Sequence, residues 1–577
     1  MTVSFNLLND KWIPVLRRAG KPPELLSLRE TLNYAPAWLT IHASSPLTTA
    51  ALYRLCLAVL HAGLRGPENP KQWKKWWNDK RWDKRLDVYL DEWTPRFELF
   101  GKHAFWQVKE GVLDKDDAAM FLEVGVDRNM GTLFDHRTAL NAAPLSLPQA
   151  AQRLVMTQTF KLGGGVSRGG FKNFTHAPWA SGIVFFAEGD TLFETLTLNL
   201  VEYPLRTSVF KYQSDNAKED IPVWEREDPF KRKHDTPRGY VDYLTWPSRR
   251  IRLLPPVETE EGWRVTRVQF AQGLALPKGK NAEDALQDPA KCNRINEKPK
   301  GTQQPVTPLR FESGRALWRD SSMLYDWRDK NLHRPHVCNW ISVLANETGV
   351  IDHARSLRLM GFGMAIGDQA ANILFARAER LPLAVSFLSN EGLVSALSDV
   401  TKMANDTGEA LERALYKLAS GLADVNYNPF GGEKKDQDAE EKPRARKAKN
   451  KKEETAEEEE EQDKKPKADE KLVKLVNAWG VDARFWDALE SEFEKLVWAL
   501  DHARDDEQGR DAARVAWQHA LRQTAFQTFD LAQEYAGDSA GALHAGVDAR
   551  GYLAWQLGRI LPQMKSVQEE ELDERRT

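Results

Sequence analysis

Lys161-Leu-Gly-Gly-Gly-Val-Ser-Arg-Gly-Gly-Phe-Lys172 carries more glycine than a helix or a strand tolerates, because glycine loses more backbone freedom on ordering than any other residue. The stretch therefore reads as a loop, and the elements on either side must be arranged to present it. Without Cβ atoms, the backbone of Gly163, Gly164 and Gly165 can come close to a partner, and Lys161, Arg168 and Lys172 surround it as a basic patch. Working outward, no Asp or Glu falls between His136 and Ala187, whereas Arg137 and Arg153 join the three loop cations. In a chain of 577 residues with a formal net charge of −3, this is a local basic island of the kind that attracts phosphate. A flexible surface loop without a ligand is the alternative reading of the same residues.

Known motifs fit the loop poorly. Gly165-Val-Ser167-Arg-Gly169 spells G-x-S-x-G, but a nucleophile elbow needs a strand before the serine and a helix after it, and Phe171 to Pro178 has no helical pattern. No Gly-Lys-Ser/Thr closes the run as in a P-loop, and a dinucleotide fingerprint would lack its βαβ frame. His333-x-x-His336-x-Cys338 lacks a fourth ligand at zinc spacing and is interrupted by Pro335. With no activated nucleophile, paired carboxylates or metal constellation in view, the expectation is a recognition protein with no catalytic residue, no metal and no cofactor. The alternatives are a hydrolase using Ser167, a nuclease using His136 and Asp135, or a scaffold without DNA contact.

The length allows two to four domains, and 41% hydrophobic residues with 20 tryptophans can fill large cores. The three cysteines, Cys56, Cys292 and Cys338, lie too far apart in sequence for a zinc knuckle or a disulfide framework, which suits a reducing cytoplasm. Met1 to Arg17 has no long apolar run, and no stretch approaches the ~20 apolar residues of a membrane span, so neither signal peptide nor anchor is expected.

Along the chain, Phe5 to Val15 reads as two short strands around a turn at Asn9-Asp10, and Leu47 to Leu64 as a helix. Trp73, Trp76, Trp77 and Trp82, interleaved with lysines, read as the core face of an amphipathic helix, or else as a nucleic-acid platform. Trp93 to Gln107, Gly182 to Phe186 and Thr195 to Tyr203 read as strands, and Arg206 to Arg238 as an irregular connection. Trp246 to Arg252 and Trp263 to Phe270 read as paired strands, with Arg264 and Thr266 on one face and Val265 and Arg267 on the other. Lys291, Arg294, Lys298 and Lys300 form a phosphate-facing or merely solvated cluster. In Met360 to Leu374, glycines give way to Asp368 as an N-cap, with a helix over Ala370 to Ala378 and Gln369 in its exposed first turn. From Leu393 onward four helical stripes predict a four-helix bundle, interrupted at about 431–470 by a charged insertion too poor in large apolar residues to order itself.

Asn6-Leu-Leu, Asp10-Lys-Trp-Ile-Pro-Val15, Phe97-Glu-Leu-Phe100, Phe105-Trp-Gln107, the glycine loop and Arg315-Ala-Leu-Trp-Arg-Asp320 follow one another in an order that resembles CasA, the large subunit of the type I-E CRISPR Cascade complex, along nearly the whole chain. The resemblance implies an α+β fold: a large mixed amino-terminal body over residues 1–390 with exposed DNA-reading loops, and the bundle over 391–577. It implies a cytoplasmic antiviral ribonucleoprotein in which the guide RNA reads the target and this subunit reads the short flanking motif in double-stranded DNA, mainly from the minor groove. The matching positions are Gly163, Gly164 and Gly165, Arg267 as the groove cation, and Asp368, Gln369 and Ala370 as a wedge that opens the first base pairs. Phe134, Asp135 and His136 would anchor the guide end. The implied partners are the backbone, small and RNA-handle-capping subunits of Cascade, and a helicase-nuclease recruited once the R-loop forms. Relatives' cysteine pairs before the glycine run are absent here, so no zinc site is carried over.

Overall fold

The computed structural model describes residues 3–124, 144–165, 167, 170–171, 173–204, 218–232, 236–277, 279–281, 285–298, 304–352, 355–367, 373–423, 427, 429 and 470–561. The chain divides into two compact units, one comprising Met1–Ser398 with Val497–Glu507 and the other Asp399–Leu496 with Gln508–Thr577.

Two helices organise the first unit. Pro46–Leu64 begins with proline at its first position, where a missing N–H costs nothing, and ends at Arg65 in the left-handed region (φ 48°). It is buried on nearly every side, and by length and composition it does meet the test for a membrane span, contrary to the sequence reading. Its burial inside the unit, 94% of the most apolar window, is that of a core helix. Even Arg54 is enclosed, donating to the carbonyls of Tyr243 and Leu244 while stacking on Trp179. Leu147–Phe160 packs against this helix and starts with a reciprocal capping box between Ser146 and Gln149. Its last turn runs straight into the glycine stretch.

Small sheets surround the pair. Ile13–Leu16 is a strand as read, but it pairs with Glu24–Leu26 and Thr40–Ile41, while Asn6 instead bridges Glu98. Trp93–Gln107 forms no ladder; Phe97 and Phe105 stack inward with centroids 4.9 Å apart, so burial and not strand pairing explains the aromatic alternation. Thr195–Tyr203 is also not a strand. Leu192–Asn199 is helical, capped by the Thr191 side chain, and Thr197 donates to the Phe193 carbonyl four residues back. Trp73, Trp76 and Trp77 are buried on the helix Pro70–Asp79, and the Trp73 indole donates to the Thr197 carbonyl at 2.7 Å, which is the core-face reading.

The predicted helix over Ala370–Ala378 is a strand from Ile373 onward. Ile373–Ala384 pairs antiparallel with Ser356–Ile366, which pairs in turn with Val184–Glu188. Exposure alternates residue by residue along the first eight positions, the signature of a half-covered strand. The glycines before the turn serve packing: a Cβ on Gly361 would lie 2.9 Å from Leu317 and 3.0 Å from Ile183. The wedge residues Asp368, Gln369 and Ala370 lie outside the described residues.

The four stripes fall on Glu391–Ala423, Val481–His502, Glu507–Ala536 and Ala540–Ile560, the greater part of each in the second unit, and a fifth, short helix, Glu470–Trp479, precedes the second stripe. Gly408 lies so close to Trp486 that a Cβ would come within 2.3 Å, Trp517 donates to the Val400 carbonyl at 3.0 Å, and a Cβ on Gly421 would meet Ala545 at 2.4 Å. Trp555, read as part of a core stripe, is 48% exposed and carries Arg559 over its ring. The charged insertion lies outside the described residues except Glu470, which opens a helix.

Candidate nucleic-acid interface

The glycine stretch is a tight two-limbed turn built on the end of Leu147–Phe160. Ala177 donates to the Lys161 carbonyl at 2.9 Å, Gly164 to Phe174 at 3.0 Å, and Phe174 back to Gly165 at 3.3 Å. The limbs approach closely because position 163 has no side chain: a Cβ there would stand 2.6 Å from the His176 nitrogen and the Thr175 carbonyl carbon. Gly163 is buried, whereas Gly164 and Gly165 are exposed at φ 121° and 74°, a backbone that side-chain-bearing residues rarely adopt. Gly163 lets the limbs approach, and Gly164 and Gly165 bond across to Phe174 while exposing main chain without side chains.

The basic island is smaller than its sequence. Lys161 is buried, and its ammonium donates to the carbonyls of Phe121 and Glu123 at the end of the short helix Ala119–Leu122, where orphan carbonyls favour a cation. It therefore braces the loop base and offers no charge to a ligand. Arg153 pairs with Glu123 at 2.7 Å. Arg137, Arg168 and Lys172 lie outside the described residues. Lys291, read as phosphate-facing or merely solvated, is neither: it is buried as well and donates to the Pro178 carbonyl at 2.8 Å beside Asp288.

What holds the turn is a residue that sequence reading left as one of several strand cations. Arg249 is fully buried with no carboxylate partner among the described residues, and burial pulls its guanidinium down to about 9. Its NH2 nitrogen donates to the carbonyls of Lys161 (3.1 Å), Leu162 (2.9 Å) and Thr175 (2.7 Å), joining both limbs, and NH1 donates to Ser248 at 2.9 Å. Gln272 completes the clamp by exchanging hydrogen bonds with Thr175, while its own N–H donates to Ser167 Oγ at 2.9 Å. Gln158 exchanges a second pair with the Arg249 backbone. A buried Ser167 that accepts this bond, preceded by a helix, does not have the exposed Oγ of a nucleophile elbow.

A family model for the CRISPR-associated protein Cse1 matches residues 6–528. The chain belongs to the Cse1 (CasA) family. The "CRISPR-associated protein CasA/Cse1" of Thermus thermophilus is 28% identical to this Cse1-family chain, covering 97% of it and 98% of the relative. Thermobifida fusca Cse1 superposes with a TM-score of 0.75 at 21% identity, covering 97% of this chain and 98% of that one. A chain of a solved CRISPR RNA-guided surveillance complex superposes at 0.67 with 19% identity, covering 95% and 99%.

On this Cse1 fold the strand expected over Trp263–Phe270 is two strands. Gly262–Val265 pairs with Leu145–Ser146 and Val257–Thr259, while Arg267–Gln272 pairs with Arg249–Leu253 and Asp116–Ala118. The break at Thr266 lets Val265 and Val268 both be buried, so Arg267 is not on the face of Val265; its side chain is 61% exposed. It does not stand alone, since Asp116 lies 3.4 Å away. Arg267 and Gln272 end the same strand about 17 Å apart at ~3.4 Å per residue. Phe134, Asp135 and His136 lie outside the described residues. His333 contacts Gln287, and burial pushes the Cys338 thiol up to about 11.

Proposed function

We propose that this chain is the large subunit of a type I-E Cascade surveillance complex, and that it recognises the protospacer-adjacent motif in double-stranded DNA. In this reading, guide RNA and the backbone, small and handle-capping subunits are its neighbours. The observation that carries the reading is the clamped turn: Gly164 and Gly165 present backbone without side chains to solvent, while a buried guanidinium and a buried glutamine fix both limbs beneath them. Such a device suits close approach to a groove, where side chains would clash and where fixed geometry lowers the ordering cost of binding. Readout from the minor groove is degenerate and depends on shape, which suits backbone and one cation better than a set of base-specific side chains. Arg267 is that cation, about half a helical turn of duplex from the clamp.

Gln369 follows as the wedge, flanked by Asp368 and Ala370 in the segment that links the paired strands Ser356–Ile366 and Ile373–Ala384. The carboxy-terminal helices act as a four-helix bundle, and the complex recruits a helicase-nuclease after the R-loop forms; the subunit itself performs no chemistry. The testing experiment is a gel shift of the assembled complex with and without this subunit on matched duplex, repeated with Gln369→Ala. We expect loss of capture without the subunit, and slow unwinding in the variant that a pre-opened bubble beside the motif restores. Capture that does not depend on the subunit would sink the reading.

A further inference from the structure

Next to the clamp lies a cavity of about 250 Å³ that shares Phe171 with the glycine loop. Its lining is aromatic: Phe105 and Trp224 are stacked with centroids 5.8 Å apart and planes 22° from parallel, and Trp106 stands beside them. Trp106 is held at φ 55°, a left-handed conformation that is a genuine outlier for a bulky residue, and strain of this kind collects at ligand sites. Its indole Nε1 is buried and has no acceptor among the described residues. At one side Arg250 is sandwiched between Phe171 and Phe230, 4.5 and 4.7 Å from their centroids, with NH1 donating to the Gln272 carbonyl at 2.6 Å. The cavity wall and the loop clamp are thus joined through Gln272.

The rim is cationic. Arg96, Lys102, Lys109 and Lys231 face two acids, and both acids are engaged: Glu227 by Lys109 at 2.8 Å, and Asp228 by the Phe230 N–H at 3.0 Å. Lys102 and Lys231 are exposed and make no ion pair among the described residues. Phe105, Trp106 and Trp224 are buried and floor the cavity, with the half-buried Phe171 and Phe230 at its side; an aromatic floor below a surplus of positive charge suits a planar base bearing a phosphate better than a purely apolar ligand.

We propose that this cavity takes an unstacked nucleotide, with its base against Phe105, Trp106 and Trp224 and its phosphate at Lys102 and Lys231. The site rests on the reading of the neighbouring turn as a nucleic-acid contact, because Phe171 and Gln272 tie the two together. A strand of the opened DNA and an unpaired stretch of guide RNA supply the same chemistry.

The test titrates the full-length chain with a short single-stranded oligodeoxynucleotide carrying one 2-aminopurine, with the same strand made abasic at that position, and with the ribose counterpart of the first. We expect saturable quenching of 2-aminopurine, and binding of the abasic strand weaker by at least about fivefold. The surface pair Lys102→Glu with Lys231→Glu should abolish that preference for the base. Tighter binding of the deoxy strand assigns the site to DNA, and tighter binding of the ribose strand to guide RNA. Equal affinity for the abasic strand, or an unchanged preference in the charge-reversed pair, overturns the site. Arg267→Ala, outside the cavity lining, separates the two readings: it should weaken the assembled complex's duplex capture while leaving this titration as in wild type. If capture survives Arg267→Ala, the reading of this face as a duplex contact falls and the cavity result stands by itself.

Discussion

Arg249→Met should loosen the glycine turn, and the size of the effect follows from two opposed quantities. Four contacts leave the guanidinium, but its NH2 nitrogen has two hydrogens for three carbonyls, so they amount to at most three full hydrogen bonds. At about 1.5 to 3 kcal/mol for each bond to a charged group, they contribute on the order of 4 to 9 kcal/mol. Against this stands the cost of enclosing a cation without a carboxylate. Burial pulls the group from 12.5 to about 9, and at ~1.4 kcal/mol per pH unit that cost is about 5 kcal/mol. The bonds outweigh that cost by up to about 4 kcal/mol, and methionine, which fills much of the volume, should destabilise the protein by that much at most. Lys161 O would keep its bond from Ala177, but Leu162 O and Thr175 O would lose the donor that joins them. The damage should therefore concentrate in the turn.

Urea unfolding gives the global figure, and amide hydrogen exchange of the full-length chain gives its location. We expect faster exchange at Gly164, Phe174 and Ala177, whose bonds close the turn, with little change along Pro46–Leu64. Arg249→Lys should recover only part, because a single ammonium cannot span three carbonyls on two limbs. An unchanged denaturation midpoint together with wild-type exchange at those three amides would refute the clamp.

Gly163→Ala should cost about 1 to 3 kcal/mol in urea unfolding, since its Cβ meets backbone atoms at 2.6 Å that cannot step aside. Asp116→Asn should leave stability nearly unchanged but raise affinity for motif-bearing duplex by up to about fivefold, because it removes a competing charge 3.4 Å from the largely exposed Arg267; the gel-shift midpoint reports it. Burial lowers His61 from 6.5 to about 3, so between those values the unfolded chain takes up a proton that the native core refuses. Native stability is then full above pH 6.5 and falls on acidification by ~1.4 kcal/mol per pH unit from this group. His61→Leu should accordingly lose about 2 to 3 kcal/mol less than wild type between pH 7 and pH 4.5, read by urea midpoints at both values.

Much of the fold was legible where one short-range pattern decides the element. The apolar run of Leu47–Leu64 and the stripes after Leu393 gave helices because a 3.6-residue period survives any tertiary setting. Legibility failed where partners distant in sequence decide. Ile373–Ala384 carries good helix formers such as Leu374, Ala376, Ala378 and Glu379, yet Ser356–Ile366 recruits it into a ladder ten pairs and more in length. Thr195 and Thr197 look strand-like, but a cap at Thr191 and the buried Leu192, Phe193 and Leu196 make a helix worth more.

The candidate site shows the same division in its charges. Lys161 and Arg153 stand in a window poor in acids, but charge acts through space, and Glu123 and the end of Ala119–Leu122 arrive from outside that window; Lys291 is drawn inward beside Asp288, three residues before it. Arg249 was missed in the opposite direction, although its signal was present: in Arg249-Arg-Ile-Arg-Leu253 it stands in phase with Ile251 and Leu253, the two residues that any strand reading sends to the core. An arginine on that phase must find carbonyls or carboxylates inside. The nearest backbone with unmatched carbonyls is a turn whose glycines keep it out of any helix or sheet. The glycine run and the inward arginine are therefore two halves of one device. The first gives up side chains so that backbone can be presented, and the second supplies from beneath the fixed geometry that the missing side chains cannot.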